Sequence, residues 1–303
     1  MMRTVLLALS ARPAIGRAMS RLALTRGFVR RFVAGPRLDD GLAVVERVNR
    51  AGLDAALTCL GEYVHDAEAA AAAASVYLDA LDEIKRRGLA CAPSLKLTHM
   101  GLDVSDAVCE ANLRRILDKA HAQDTLVWID MEQSTYTDRT LALWQRLRRD
   151  YPRIGCVIQA YLRRSEADIA RLAEEGAIVR LCKGAYHEAP SAAFPAKPEV
   201  DASYVRLMDR LLAPPSVAAG TYPGFATHDE RLQARALACG ADPARWEMQM
   251  LYGIRDDLHA GIRRRGARLR LLVPFGEDWY GYFMRRLAER PANVLFLLRN
   301  VAR

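Results

Sequence analysis

The stretch from residue 153 to residue 184 reads RIGCVIQAYLRRSEADIARLAEEGAIVRLCKG and holds two apolar runs with a helical pattern between them. The runs RIGCVIQA and AIVRLCKG, at 153–160 and 177–184, are short and nearly continuous in apolar residues. The segment SEADIARLAEE at 165–175 has helical periodicity. Continuous apolar strands joined by a helix are typical of parallel strands that are covered on both faces. The stretch therefore predicts a strand–helix–strand unit.

The same unit recurs along the chain. Six further apolar runs precede helical patterns: AALTCLGE (55–62), APSLKLT (92–98), TLVWIDME (125–132), PGFATH (223–228), WEMQML (246–251) and RLRLLVPFG (268–276). Eight units in about 250 residues favour a (β/α)8 TIM-type barrel over an open doubly wound sheet. The first strand is not followed by a glycine-rich phosphate fingerprint, which argues against a dinucleotide fold. We expect an N-terminal helical segment over 1–50 and a catalytic barrel over 51–303.

The basic residues carry a net charge of +8, and they are almost all arginine. Only five of the 44 are lysines, which leaves 39 arginines. Such a skew more often reflects codon usage than a ligand, and only 7% of the chain is aromatic. We therefore expect no nucleic-acid partner.

The first 38 residues contain arginines and no acidic residue, and this composition raises the question of a targeting peptide. The apolar part TVLLALSA is short and has no convincing cleavage site, so we favour a basic helical segment that stays in the protein. No apolar run reaches the roughly 18 residues of a membrane span. We expect a cytoplasmic protein, with a peripheral contact at the inner face of the membrane as a further expectation.

Polar side chains collect at the ends of the predicted strands. In a (β/α)8 barrel these ends meet at the C-terminal face, where the chemistry takes place. The candidates are Glu62, Lys96, Thr98, His99, Asp130, Glu132, Gln159, Arg180, Lys183, Thr227, His228, Glu247 and Gln249. Any single one, such as Thr98 or Glu247, could be structural. Because unpaired buried charge is costly, so many at one place indicate a site.

A helix near the C-terminus, WYGYFMRRLAERPANVLFLL at 279–298, carries polar residues along one face. Tyr282, Arg285, Arg286 and Glu289 are spaced at i, i+3, i+4 and i+7. A solvated basic face is the simple explanation for this stretch alone. If the helix packs across the barrel mouth, however, the two arginines point into the site.

Two kinds of chemistry without a redox cofactor are compatible with these residues. A metal hydrolase would use His99, His187 and His228, but the first strand lacks a His-x-His pair and the histidines have no close spacing, so we expect no metal. A Schiff-base aldolase would use Lys96 or Lys183 as its nucleophile. In a third possibility, Arg180 and Lys183 hold a flavin while the arginine pair holds a small carboxylate.

Seven motifs resemble the successive strand-end motifs of the FAD-dependent, monofunctional bacterial proline dehydrogenases. They are SLKLT, WIDME, VIQAYLRRSEADI, VRLCKGAY, FATH, EMQMLYGIR and YFMRRLAERPANVLF. The match runs in order from about residue 38 to the C-terminus. The resemblance implies a distorted (β/α)8 barrel with its last helix over the mouth. It also implies hydride transfer from proline to FAD, which gives 1-pyrroline-5-carboxylate in proline catabolism, and electron transfer from the flavin to a membrane quinone.

The resemblance also implies roles for individual residues. Arg285 and Arg286 would clamp the proline carboxylate together with Lys96, and Asp130 would lie beside Lys96. Arg180 would donate toward the hydride-accepting nitrogen of the flavin. The other substrate-binding residues would be Tyr282, Leu272 and Glu62, which would pair with Arg285 as a gate. The other flavin-binding residues would be Met131, Gln159, Lys183, Gly184, Ala185, Thr227, His228 and Glu289.

The segment RLLVPFG departs from the family pattern. Leu272 and Phe275 stand where the family typically has tyrosines, and the first of these tyrosines packs on the substrate ring. A leucine there leaves the flavin chemistry possible but widens the choice of substrate. A substituted ring such as hydroxyproline is therefore an alternative to proline.

Overall fold

The computed structural model of this protein describes residues 29–282 and shows eight parallel strands closed into a barrel. Each strand pairs with the next in sequence, and the eighth pairs with the first. The strands are β1 (Asp54–Cys59), β2 (Cys91–Leu95), β3 (Val127–Ile129), β4 (Ile154–Gln159), β5 (Ile178–Cys182), β6 (Tyr222–Ala226), β7 (Glu247–Leu251) and β8 (Arg268–Phe275). The predicted TIM-type barrel is confirmed.

Helices surround this barrel. They are α1 (Leu38–Arg50), α2 (Ala67–Arg87), α3 (Asp106–Ala122), α4 (Thr137–Leu147), α5 (Ser165–Glu174), α6 (Lys197–Leu212), α7 (Pro214–Ala218), α8 (Glu230–Leu237) and α9 (His259–Arg264). Short 3₁₀ turns occupy Ser134–Tyr136, Pro243–Arg245 and Asp256–Leu258. Of the predicted last helix only 279–282 are described, and they are helical. The predicted N-terminal segment is described from residue 29 onward.

The helix α1 shares its core with the barrel. Leu42, Val45 and Val48 belong to the same buried apolar cluster as Leu57 of β1 and Phe275 of β8. The segment before the first strand therefore packs on the barrel wall, and the division at residue 50 stays a prediction.

The strands alternate between an apolar outer face and a partly polar inner face. In β8, Leu269, Leu271 and Val273 belong to the apolar cluster that lies between the strands and the helices. Successive side chains of a strand point to opposite faces, so Arg270 and Leu272 lie on the inner face. The same alternation places polar residues of other strands inside the barrel.

The long connection after β5 contacts loops that follow two neighbouring strands. Its residue Ala193 forms an isolated antiparallel bridge with Leu162, which follows β4. Glu188 accepts hydrogen bonds from the backbone N–H of Ser134, at 2.8 Å, and from its hydroxyl group. The connection is thus held to the segments that follow β3 and β4.

Within residues 29–282, no helix combines the length and the apolar character that crossing a membrane requires.

Candidate active site

Arg180 on β5 is the central cation of the barrel interior. Its Nη1 donates to Asp130 Oδ1 at 2.8 Å and to Ser94 Oγ at 2.9 Å, and its Nε donates to Gln249 Oε1. The guanidinium carbon lies 4.6 Å from the centre of the Trp128 ring. Burial lowers the pKa of Arg180, while Asp130 opposes that shift, and an arginine stays protonated in any case. The remaining nitrogen, Nη2, is buried and has no hydrogen-bond partner among the described residues.

A second buried ion pair lies inside the barrel. Arg270 donates from Nε to Glu247 Oε1 at 2.7 Å and from Nη2 to Glu247 Oε2 at 2.9 Å. Tyr222 donates to the same carboxylate at 3.1 Å, and Asp54 lies 3.4 Å from Arg270. Burial by itself would raise the pKa of Glu247, but the charge and hydrogen bonds of Arg270 lower it overall. Glu247 is therefore ionised within a fully paired buried cluster.

Two residues predicted to bind substrate meet at the barrel mouth. Lys96 Nζ lies 3.8 Å from Glu62 Oε1, and both side chains are largely buried. His99 follows Lys96 on the same loop, and its pKa falls to about 4 because it is buried and because Lys96 is cationic. His99 is thus a neutral ring. Among residues 29–282, no group of three His, Cys, Asp or Glu side chains is placed to hold a metal ion.

Glu132 has a structural partner beside this pair. Its carboxylate accepts from the Thr98 hydroxyl at 2.6 Å and from the Thr98 backbone N–H at 3.1 Å. Burial raises the pKa of Glu132 to about 7, and the two bonds from Thr98 oppose that shift.

Gln159 at the end of β4 presents a free acceptor. Its amide nitrogen donates to the Met131 carbonyl at 3.2 Å, while its Oε1 is buried without a partner among the described residues. The Met131 side chain belongs to the buried apolar cluster.

The residues that the resemblance assigns to the flavin near β5 and β6 form a second group. Lys183 bridges Asp201, at 2.5 Å, and Asp229, at 2.8 Å. At Gly184 the backbone has φ +106°, and a Cβ there would lie 2.2 Å from the Tyr161 ring, so only glycine fits. Ala185 is the next residue of the same loop. His228 Nε2 accepts from the Leu251 N–H at 3.0 Å, and Thr227 accepts through its hydroxyl from the Asp229 N–H at 3.1 Å.

Some of the predicted contacts differ or lie outside the described residues. Asp130, expected beside Lys96, accepts hydrogen bonds from Arg180 and Ser94, and its neighbourhood to Lys96 stays a prediction. Leu272 lies on the inner face of β8, level with Ala56 and Leu251 on the neighbouring strands. Tyr282 is buried at the end of the described range. Arg285, Arg286 and Glu289 lie outside it.

Four residues of the interior network are not predicted from the sequence. They are Asp54, Ser94, Tyr222 and Arg270. Two of them could have been found by counting in steps of two along the strand, because Ser94 stands two residues before Lys96 and Arg270 two before Leu272.

Comparison with solved structures agrees with this architecture. A proline utilization A protein from Bdellovibrio bacteriovorus superposes with a TM-score of 0.79 and 25% identity over 87% of this chain. The corresponding protein from Corynebacterium freiburgense superposes with a TM-score of 0.75 and 22% identity over 95% of this chain, and it supports the fold alone. This chain spans about a third of the length of those two chains, 32% and 33% respectively.

Sequence comparison finds relatives that match along nearly their whole length. Proline dehydrogenase 1 of Bacillus subtilis (strain 168) is 39% identical over 281 residues, which cover 91% of each chain. The proline dehydrogenase of Deinococcus radiodurans is 34% identical over 280 residues, which cover 89% of each chain. The family model described as proline dehydrogenase matches residues 42–299. On these matches, this chain belongs to the proline dehydrogenase family.

Proposed function

We propose that this protein oxidises L-proline to 1-pyrroline-5-carboxylate in proline catabolism, with FAD as its cofactor and a quinone as the final electron acceptor. Family membership and the names of the Bacillus and Deinococcus relatives support the activity. The cofactor and the residue roles rest on the chemistry of the site.

The observation that carries the proposal is the unpaired Nη2 of Arg180. Leaving a buried donor without a partner costs about 1–3 kcal/mol, so such a donor points to a ligand that supplies an acceptor. Gln159 Oε1 is a buried acceptor that also has no hydrogen-bond partner among the described residues. The edge of a flavin ring carries both acceptors and an N–H, and it therefore fits a site that presents a free donor at Arg180 and a free acceptor at Gln159. Bound FAD would supply a two-electron acceptor, and a fixed guanidinium favours the negative charge of the reduced ring.

On the substrate side, cationic groups select and prepare the imino acid. Lys96, Arg285 and Arg286 bind the carboxylate in this proposal, with Tyr282 beside them. Forked guanidiniums suit a single carboxylate better than flexible lysines do. A cationic surrounding also lowers the pKa of the substrate amine, which favours the neutral form. Proline then loses a hydride from the ring CH₂ group bonded to nitrogen, on the side away from the carboxylate, and a proton from the nitrogen. The product is the cyclic imine.

The remaining proposed roles keep the flavin and the substrate in place. Glu62, which lies 3.8 Å from Lys96, serves as the acidic partner at the entrance. Asp130 holds Arg180 through the 2.8 Å bond. The flavin is contacted further by Met131, Lys183, Gly184, Ala185, Thr227, His228 and Glu289. The basic N-terminal residues are proposed to bring the protein to the inner face of the membrane, where quinones are found.

A second candidate substrate is a ring-substituted proline. Leu272 lies on the inner face of β8 and is only partly buried. A leucine there has no hydroxyl group and no flat ring to cap the substrate, so a larger ring such as 4-hydroxyproline is accommodated better than in relatives with tyrosine.

The test is the colour of the purified protein. We expect a yellow preparation that bleaches when proline is added without oxygen, because reduction removes the visible absorbance of flavin. N-propargylglycine, which inactivates the Bdellovibrio protein, should inactivate this protein, and proline should protect it. A colourless preparation in which borohydride links the substrate to Lys96 would overturn the proposal in favour of the aldolase.

A further inference from the structure

We propose that Gln249 is a positioning residue for Arg180, and that the buried pair of Glu247 and Arg270 fixes the orientation of the Gln249 amide. The inference rests on the proposed function, in which Arg180 contacts the flavin. The proposal assigns a task to Gln249, Glu247 and Arg270, which the proposed function leaves without one.

The amide of Gln249 stands between a cation and an anion. Its Oε1 accepts from Arg180 Nε, and its Nε2 donates to Glu247 Oε1 at 2.6 Å. A flipped amide would place its NH₂ group against the guanidinium N–H and its oxygen against the carboxylate. Both contacts would be unfavourable in the buried interior, where all three residues are at most 5% exposed. The amide therefore has one orientation.

Glu247 can hold this orientation because it is itself fixed. Arg270 occupies both of its oxygens, and Tyr222 donates to Oε2. The chain of bonds thus runs from Arg270 through Glu247 and Gln249 to the Nε of Arg180.

The fixed amide determines which guanidinium nitrogen of Arg180 stays free. Gln249 holds Nε, while Ser94 and Asp130 share Nη1. Only Nη2 is left for a ligand. Without Gln249, the guanidinium is held at one nitrogen and can rotate away from this direction. Misplacement by about 1 Å can cost about 100-fold in rate, so the effect on the chemical step is large.

The neighbouring strand makes room for the Gln249 amide. Gly224 on β6 lies opposite it, and a Cβ at Gly224 would lie 2.5 Å from Gln249 Nε2 and 3.1 Å from its Cδ. Gly224→Ala therefore pushes the amide without removing any of its hydrogen-bonding atoms.

Gln145 provides a matched control outside the barrel. Its amide also accepts from an arginine, Arg171 at 3.3 Å, and donates to a glutamate, Glu175 at 3.2 Å. Gln145→Met therefore removes the same pattern of bonds on the surface of α4.

The experiment compares Gln249→Met, Gly224→Ala and Gln145→Met with wild type. The measurements are flavin content, reduction potential, kcat and KM for proline, and the thermal midpoint of the flavin-free protein. Gln249→Met should keep its flavin, lower kcat by about 10- to 100-fold with KM within about twofold, and make the reduction potential more negative. Gly224→Ala should give a smaller change in the same direction, and Gln145→Met should match wild type.

The inference is overturned if Gln249→Met and Gly224→Ala change only the thermal midpoint, or match Gln145→Met in kcat and potential. If Gln249→Met does not fold, Gly224→Ala decides by the same criteria. A wild-type protein that carries no flavin would instead remove the proposed function, and this inference with it. The flavin content of wild type therefore distinguishes failure of the proposed function from failure of this inference alone.

Discussion

Glu132 is predicted to make this protein less stable as the pH rises from about 5 to about 8. Burial raises the pKa of Glu132 from its usual 4.5 to about 7 in the folded protein, against the opposing bonds from Thr98. Between these two values the folded protein holds a proton that the unfolded chain has lost. The stability is therefore complete below about pH 4.5 and is lost as the pH rises through about 7. The shift is worth about 3 kcal/mol, of which about 2.5 kcal/mol falls between pH 5 and pH 8.

The assay compares urea unfolding of wild type and Glu132→Gln at pH 5 and pH 8, at matched flavin content. Other titrating groups, such as His99, act equally on both proteins and cancel in the difference. The variant should gain about 2.5 kcal/mol relative to wild type on going to pH 8. Glu68→Gln, an exposed position in the first turn of α2, controls for the loss of one carboxylate. If the difference between wild type and Glu132→Gln is the same at both pH values, Glu132 is not protonated in the folded protein and the reasoning fails.

Three further predictions concern the barrel interior and the substrate. Arg270→Met leaves the Glu247 carboxylate buried without its cation and should lower the free energy of unfolding by about 3–5 kcal/mol in urea titrations; a loss under about 1 kcal/mol would contradict this. Leu272→Tyr should raise the ratio of kcat/KM for proline to that for 4-hydroxyproline by about 10- to 200-fold, and an unchanged ratio would show that position 272 does not line the pocket. Arg285→Met and Arg286→Met should each lower kcat/KM by about 30-fold to several thousandfold with unchanged flavin content, whereas wild-type values would support a solvated basic face.

The barrel could be predicted from sequence because burial on both faces makes each strand an apolar run. Each of the eight runs overlaps a strand, and each run is longer than its strand. TLVWIDME covers eight residues, whereas β3 covers Val127–Ile129. Met131 is buried beyond the end of β3, and Leu97 is buried beyond the end of β2. An apolar pattern reports burial, and burial continues after the backbone leaves the sheet.

The sequence predicts which residues gather at the strand ends better than it predicts which of them form ion pairs. Strand-end position brought Lys96, Asp130 and Arg180 to one region, because parallel strands end on the same face. Strand-end position alone does not predict which carboxylate pairs with which cationic side chain. The structure pairs Asp130 with Arg180 and Ser94, and its expected place beside Lys96 stays a prediction. Such a choice depends on side-chain directions across three strands, which a linear sequence does not specify.

In this barrel, the residues that stabilise the fold differ from the charged residues that fill the interior. TIM barrels are usually filled by branched apolar side chains, but here the middle of the barrel holds Arg180, Glu247 and Arg270. Buried ion pairs add little net stability, so the stability of the fold comes from the apolar cluster between strands and helices. Within the described residues, Arg180 faces Asp130 and Arg270 faces Glu247, so the charges of these two pairs are matched. What is incomplete is hydrogen bonding, at Arg180 Nη2 and at Gln159 Oε1. The flavin ring proposed above would complete this region by supplying an acceptor and a donor rather than a counter-charge.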